Sequence, residues 1–181
     1  MPQTALIIVD VQKAMFPPED PVFNGEEVVS RIADFAGKAR DKEIPVVLVQ
    51  HSGPPGNSFE PNSQGWQLRD EILSGESEPV VHKDTPDSFF NTDLDLILKS
   101  MDVNRVIICG IQSELCVDTT CRSAFSHGYR VVLLSDCHTT WKRGDLEPQQ
   151  LISNTNSIVS DWFGDVMTAG EAEEKILYAT P

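Results

Sequence analysis

Apolar positions along the chain fall into short unbroken runs, separated by stretches that repeat at helical spacing. Ala5-Leu6-Ile7-Ile8-Val9 is continuous and β-rich, the pattern of a central strand buried on both faces. Comparable runs at 45–50, 78–83, 105–109 and 130–134 predict four more strands, and 164–167 predicts a short sixth. Between them Val28, Ile32, Phe35 and Ala39 share one face of a helix expected over 26–42. Thr92 opens a helix carrying Leu94, Leu96, Ile97 and Leu98, and another helix spans about 148–160. Breaker-rich segments at 16–25 and 52–58 read as loops. Strand and helix alternate along the chain, which predicts an α/β protein with a doubly wound sheet and right-handed crossovers. At 181 residues it reads as one domain over 1–181, without repeats or linkers.

Three strand ends carry chemistry. The 105–109 strand runs through Gly110 towards Ser113, expected as the N-cap of a helix continuing to Ala124. Cys116 then lies in the first helical turn, where free N–H groups and the helix dipole favour a thiolate and can hold an oxyanion. Asp10 ends the first strand and Lys83 the third. Alone, each has a plain reading: a small buried thiol, a turn aspartate, a surface lysine. Together they gather where open parallel sheets bind ligands, as an acid–base, a cation and a nucleophile.

Composition narrows the class. The net charge of −14 argues against a nucleic-acid partner, which needs clustered Lys and Arg. No apolar stretch reaches membrane-spanning length, and the first residues lead into a strand without a signal-peptide pattern. The cysteines Cys109, Cys116, Cys121 and Cys137 lack metal-type pairing and fit reduced thiols in a cytoplasmic protein.

Four ordered blocks resemble the isochorismatase-like cysteine hydrolases, a group including nicotinamidases, N-carbamoylsarcosine amidases and ureidoacrylate or biuret hydrolases. These blocks are 6–12, Lys83 with 87–94, 110–117 with Thr120 and Ala124, and 128–136. The resemblance implies a three-layer α/β/α fold whose six-stranded parallel sheet has order 3-2-1-4-5-6, setting Asp10 beside Cys116. It also implies hydrolysis of a C–N bond in a small amide, ureide or carbamoyl compound. Cys116 would be the nucleophile, Asp10 the proton carrier and Lys83 an electrostatic partner. The backbone N–H groups of Gln112 and Cys116 would form the oxyanion hole, after a cis Ile111–Gln112 peptide. Relatives of this kind are commonly homo-oligomers.

The remaining expectations concern the pocket. Nicotinamidases hold a divalent ion with an Asp-x-His pair and a further His; here His51 stands without a second histidine before His82, so no metal and no other cofactor is expected. His51 reads instead as a pocket-wall or hydrogen-bonding residue. Phe16, Trp66 and Phe89 are candidate substrate contacts, with core packing as the plain reading for Phe89. Gln12 shares a strand face with Asp10 and is expected to orient its carboxylate. His82 should face away from Lys83. The 136–145 segment either reads a polar end of the substrate or meets a neighbouring subunit. Two other functions stay open: a cysteine-independent vinyl-ether hydrolase of the isochorismatase type, and a non-catalytic or thiol-sensing binding protein.

Overall fold

The computed structural model describes residues 3–74 and 78–178. Six strands, β1 (Thr4–Val9), β2 (Val46–His51), β3 (Val80–Lys83), β4 (Arg105–Ile111), β5 (Arg130–Thr139) and β6 (Gly164–Met167), form one sheet in the order β3-β2-β1-β4-β5-β6. Every neighbouring pair is parallel. The chain reverses direction across the sheet between β1 and β4, which opens the switch point beside the carboxyl ends of those strands.

Alternation along β1 divides the core. Leu6 and Ile8 pack with Leu48, Ile107 and Val132 on one face, beneath α1 (Gly25–Asp41). Ala5, Ile7 and Val9 pack with Val49, Ile108 and Leu133 on the other, against α2 (Leu94–Ser100) and α3 (Asp118–Ser126). All six β1 residues are buried, and after Thr4 every one of them is apolar. On α1 the buried stripe is Val28, Val29, Ile32, Phe35, Ala36 and Ala39, with Glu26 and Glu27 in the first turn and Lys38 and Arg40 in the last. Burial of Ile32 and Phe35 contributes about 1.5–3 kcal/mol each. A further helix, α4 (Pro148–Ile158), starts with Pro148 and a capping box between Glu147 and Gln150.

Two elements depart from the expected pattern. β5 does not stop at Leu134 but continues to Thr139 through an irregularity: Ile108 pairs with Leu133 and Gly110 with His138, so the edge of β5 swells between them. Polar Ser135 and Asp136 hide this continuation in the sequence. Their neighbours explain it, since Arg31 of α1 donates to the Asp136 carbonyl at 3.1 Å and Ala169 N–H donates to its carboxylate at 2.8 Å. The second departure follows β4. Residues Ser113–Val117 form a π-helical turn before α3 begins, and the residue at its N-cap is Gln112, not Ser113.

Candidate active site

β1 ends at Val9, and Asp10 turns out of the strand at φ 52°, its N–H donating to the Val49 carbonyl at 3.0 Å. A left-handed residue that is not glycine is uncommon, and aspartate is among the side chains that tolerate it. Across the sheet Gly110 lies opposite Val9 at φ 130°. A Cβ at Gly110 would stand 2.0 Å from the Val9 carbonyl oxygen, so only glycine lets β4 pass this close. The chain then continues through a cis Ile111–Gln112 peptide into the turn that carries Cys116.

Lys83 reaches the same place from β3. Burial alternates along that strand, placing Lys83 inward and His82 outward, where the His82 ring stacks on Trp66 with centroids 5.3 Å apart. Lys83 Nζ donates to Asp10 Oδ2 at 2.6 Å and to the Thr85 carbonyl at 3.0 Å. Neither side chain of this ion pair has any exposed surface. Asp10 Oδ1 is buried with no hydrogen-bond partner closer than the ordinary limit. The Cys116 thiol faces both charged groups and is itself only 9% exposed. Asp10, Lys83 and Cys116 therefore converge from three strand ends.

Burial is the largest influence on the protonation of Asp10 and Cys116. It raises the Asp10 carboxyl above its ordinary value, with the Lys83 ammonium opposing. Burial and then the Asp10 charge push the Cys116 thiol up to about 12, again with Lys83 opposing. Desolvation therefore works against the pull of the helix start towards a thiolate. At rest the cysteine is a thiol next to a carboxylate able to take its proton.

The other expected site residues separate into several groups. His51, at the end of β2, is half-buried beside Asp10 and Lys83 and edge-on to Phe59. Burial, then the Lys83 charge, lowers its pKa, and its Nδ1 is buried without a partner. Trp66 is tied down by its indole N–H on Ser52 Oγ at 3.1 Å. Phe16 lies under the Arg69 guanidinium and lines a surface cavity of about 570 Å³ that includes none of Asp10, Lys83 or Cys116. Phe89 is a core residue, stacked on His127 with centroids 4.8 Å apart. Its ring face is already covered, which leaves it no role as a pocket wall.

Gln12 also differs from expectation. Its amide donates to the His51 carbonyl at 2.9 Å and the Trp66 carbonyl at 2.8 Å, and accepts from His51 N–H at 2.9 Å. Both donors serve the backbone, so Gln12 does not orient Asp10; it fastens the end of β2 to the 66 loop. Among the described residues no three His, Cys, Asp or Glu side chains gather in a way that would hold a metal ion.

Sequence reasoning missed two sets of contacts. Arg143, in the 140–147 segment, donates to Glu114 Oε1 at 2.9 Å and Gln112 Oε1 at 3.0 Å, fixing that loop onto the Cys116 turn. Behind the same turn Ser113 Oγ lies 2.7 Å from His138 Nδ1, and His138 Nε2 lies 2.9 Å from Asn156 Oδ1. An imidazole on a strand-like residue pattern was the only local signal for the second set.

A parallel sheet of this order, with an acid, an ammonium and a thiol buried at its switch point, defines a doubly wound α/β protein that takes a small ligand at its strand ends. The chain matches the Isochorismatase domain family over residues 4–169 and belongs to that family of hydrolases. It is 36% identical over 141 residues to the uncharacterized isochorismatase family protein YddQ of Bacillus subtilis (strain 168), across 76% of this chain and 78% of that one. It is also 36% identical over 167 residues to a streptothricin hydrolase of Streptomyces noursei, across 89% of this chain but only 59% of the relative's length. The crystal structure of an isochorismatase from Pseudomonas putida KT2440 superimposes with a TM-score of 0.89 at 28% identity, covering 93% of this chain and 89% of that one.

Proposed function

We propose that this protein hydrolyses a C–N bond of a small amide, ureide or carbamoyl compound through a thioester on Cys116. The observation that carries the reading is the fully buried Asp10–Lys83 pair, 2.6 Å apart, against which the Cys116 thiol lies. A buried charge pair of this kind adds little net stability, so its stabilisation is a poor account of its presence. A proton relay is a better one.

As substrate enters, Asp10 takes the thiol proton and the sulfur attacks the carbonyl carbon, placing negative charge on the carbonyl oxygen. The backbone N–H groups of Gln112 and Cys116 are the donors assigned to that oxyanion. Collapse breaks the C–N bond, and Asp10 hands its proton to the departing ammonia or amine. Asp10 then removes a proton from water, which attacks the thioester; the acid leaves and the proton returns to sulfur. Lys83 takes no part in these proton transfers and limits the cost of moving charge in a buried site. Its bond to Asp10 at 2.6 Å and its charge facing the thiol support this electrostatic role.

Of the expected substrate contacts, His51 and Trp66 keep that assignment. The half-buried His51 ring presents an unpartnered nitrogen beside the charged pair, suited to a hydrogen bond with the substrate's polar end. Four free thiols, all buried, fit a reducing compartment, and no helix among the described residues is long and apolar enough to cross a membrane. The assembly is proposed as a homo-oligomer, for which light scattering is the test.

The experiment is release of ammonia or amine from a panel of primary amides, ureides, N-carbamoyl compounds and streptothricin, with Cys116→Ala in parallel. Turnover that disappears in Cys116→Ala is the expected result. Turnover surviving at the wild-type rate sinks the mechanism and makes isochorismate the next compound to test.

A further inference from the structure

One buried titratable group has no part in the chemistry above. His138, near the end of β5, is 2% exposed, and both of its ring nitrogens are engaged. The hydrogen-bond pattern assigns its tautomer. Asn156 Nδ2 donates to the Ser135 carbonyl at 3.4 Å, which leaves Oδ1 as the atom facing the ring. An amide oxygen only accepts, so His138 Nε2 carries the hydrogen. Nδ1 is then a lone pair, and the Ser113 hydroxyl donates to it at 2.7 Å. Donation runs in one direction, from the Cys116 turn through Ser113 and His138 to Asn156 on α4.

The chain is placed to control geometry. Ser113 is fully buried and opens the turn whose next residues include Cys116, and Gln112 immediately precedes it. The Ser113 hydroxyl is directed backwards onto His138 of β5. The swelling of β5 brings His138 level with Gly110, the residue at which β4 turns towards the thiol. A regular β5 would leave another side chain there.

We propose that His138, held as the neutral Nε2–H tautomer by Asn156, is a positioning residue that fixes the Cys116 turn through Ser113. The proposal rests on Cys116 being the nucleophile. Thiol and carboxylate must meet for proton transfer, and a displacement on the order of 1 Å at a reacting group costs up to about 100-fold in rate. Burial, not the groups around it, favours the neutral His138 ring, since the Asn156 hydrogen bond and both nearby carboxylates favour the charged one. Burial lowers its pKa against the carboxylates of Asp136 on β5 and Glu114 on the turn, while Arg31 of α1 lines the same cavity and α4 offers only neutral side chains there.

Two measurements test this together. Imidazole ¹⁵N spectra of the wild type should show His138 as Nε2–H with an unprotonated Nδ1 at pH 7. Alkylation of Cys116 by iodoacetamide, located by peptide mapping, should slow about tenfold in Ser113→Ala and in Asn156→Ala, and stay within about twofold in Ser113→Thr, which restores the hydroxyl. The double variant Ser113→Ala/Asn156→Ala should be no slower than either single one, because both cut one chain. Asn156 is half-buried and borders a cavity of about 330 Å³ shared with His138, so its truncation leaves the fold in place. Unchanged or faster alkylation in Ser113→Ala, or an Nδ1–H ring in the wild type, overturns the positioning role and leaves the Cys116 reading standing. A wild-type Cys116 inert to iodoacetamide overturns both.

Discussion

Cys116 stands between two buried polar regions that have been built by opposite means. On the β1–β3 side lie Asp10 and Lys83, an ion pair with no exposed surface. On the β5–α4 side lie Ser113, His138 and Asn156, a neutral chain of hydrogen bonds. Both regions satisfy groups that water would otherwise satisfy, but the cost of a mistake differs. A neutral chain that loses one member forfeits a hydrogen bond and exposes its neighbour's polar atom to an apolar setting, about 1–3 kcal/mol. A charge pair that loses one member leaves an ion buried, about 3–5 kcal/mol. A site that has to move a proton needs the costly kind. A site that has to hold a turn still does not, because only a mobile charge changes during turnover.

The largest effect should come from splitting the charged pair. Lys83→Met leaves Asp10 buried without its cation, and Asp10→Asn leaves Lys83 without its anion; each should lose about 3–5 kcal/mol in urea unfolding. The double variant Asp10→Asn/Lys83→Met removes both charges and should recover most of that loss, while staying as inactive as Cys116→Ala. A double variant no more stable than the singles would mean that the pair is held for stability, and the contrast between the two regions would collapse.

A smaller effect sharpens the contrast, since the charged side also contains a neutral fastener. Gln12 makes three hydrogen bonds to the backbone of His51 and Trp66. Gln12→Leu should cost about 2–3 kcal/mol, because it strands the His51 N–H and carbonyl while Trp66 keeps its bond from Gln50. With His51 and Trp66 loosened, KM should rise several-fold with kcat little changed. If kcat falls and KM holds, Gln12 acts on Asp10 after all, as its place in the sequence suggested.

That failure shows where sequence reasoning reached its limit. The sheet was legible because the central strands are short apolar runs, β1 being apolar throughout from Ala5 to Val9. Asp10, Lys83 and Cys116 were legible because charged or reactive residues at strand ends are conspicuous against such runs. The supporting contacts were not. Gln12 could be placed on the Asp10 side, but its partners are 39 and 54 residues away, and nothing local announces them. Phe89 carries the same aromatic signal whether it faces a pocket or stacks on His127. His138 lay beyond the apparent end of β5 because Ser135 and Asp136 break the apolar run, and their partners come from α4 for Ser135 and from α1 and Ala169 for Asp136. Local pattern finds what a strand buries; it does not find what crosses between elements.

The smallest effect separates the regions by pH. His138 has a folded pKa lowered from 6.5, first by burial. The unfolded chain therefore binds this proton more readily, and stability from the neutral ring is fully present above pH 6.5 and is lost as pH falls towards the folded value. One such group contributes up to about 1.4 kcal/mol per pH unit in that window. His51 is lowered in the same direction but is half-exposed, so its share is smaller. Urea midpoints in the wild type should hold from pH 7.5 to about 6.5 and fall from there to pH 5.5. His138→Gln keeps a polar side chain on β5 but has nothing to protonate, so its midpoints should fall by less than half as much over the same range, from a lower starting stability. An equal slope in the two proteins would place the acid sensitivity at His51, because the raised Asp10 pKa works in the opposite sense, and the neutral role of His138 would be wrong.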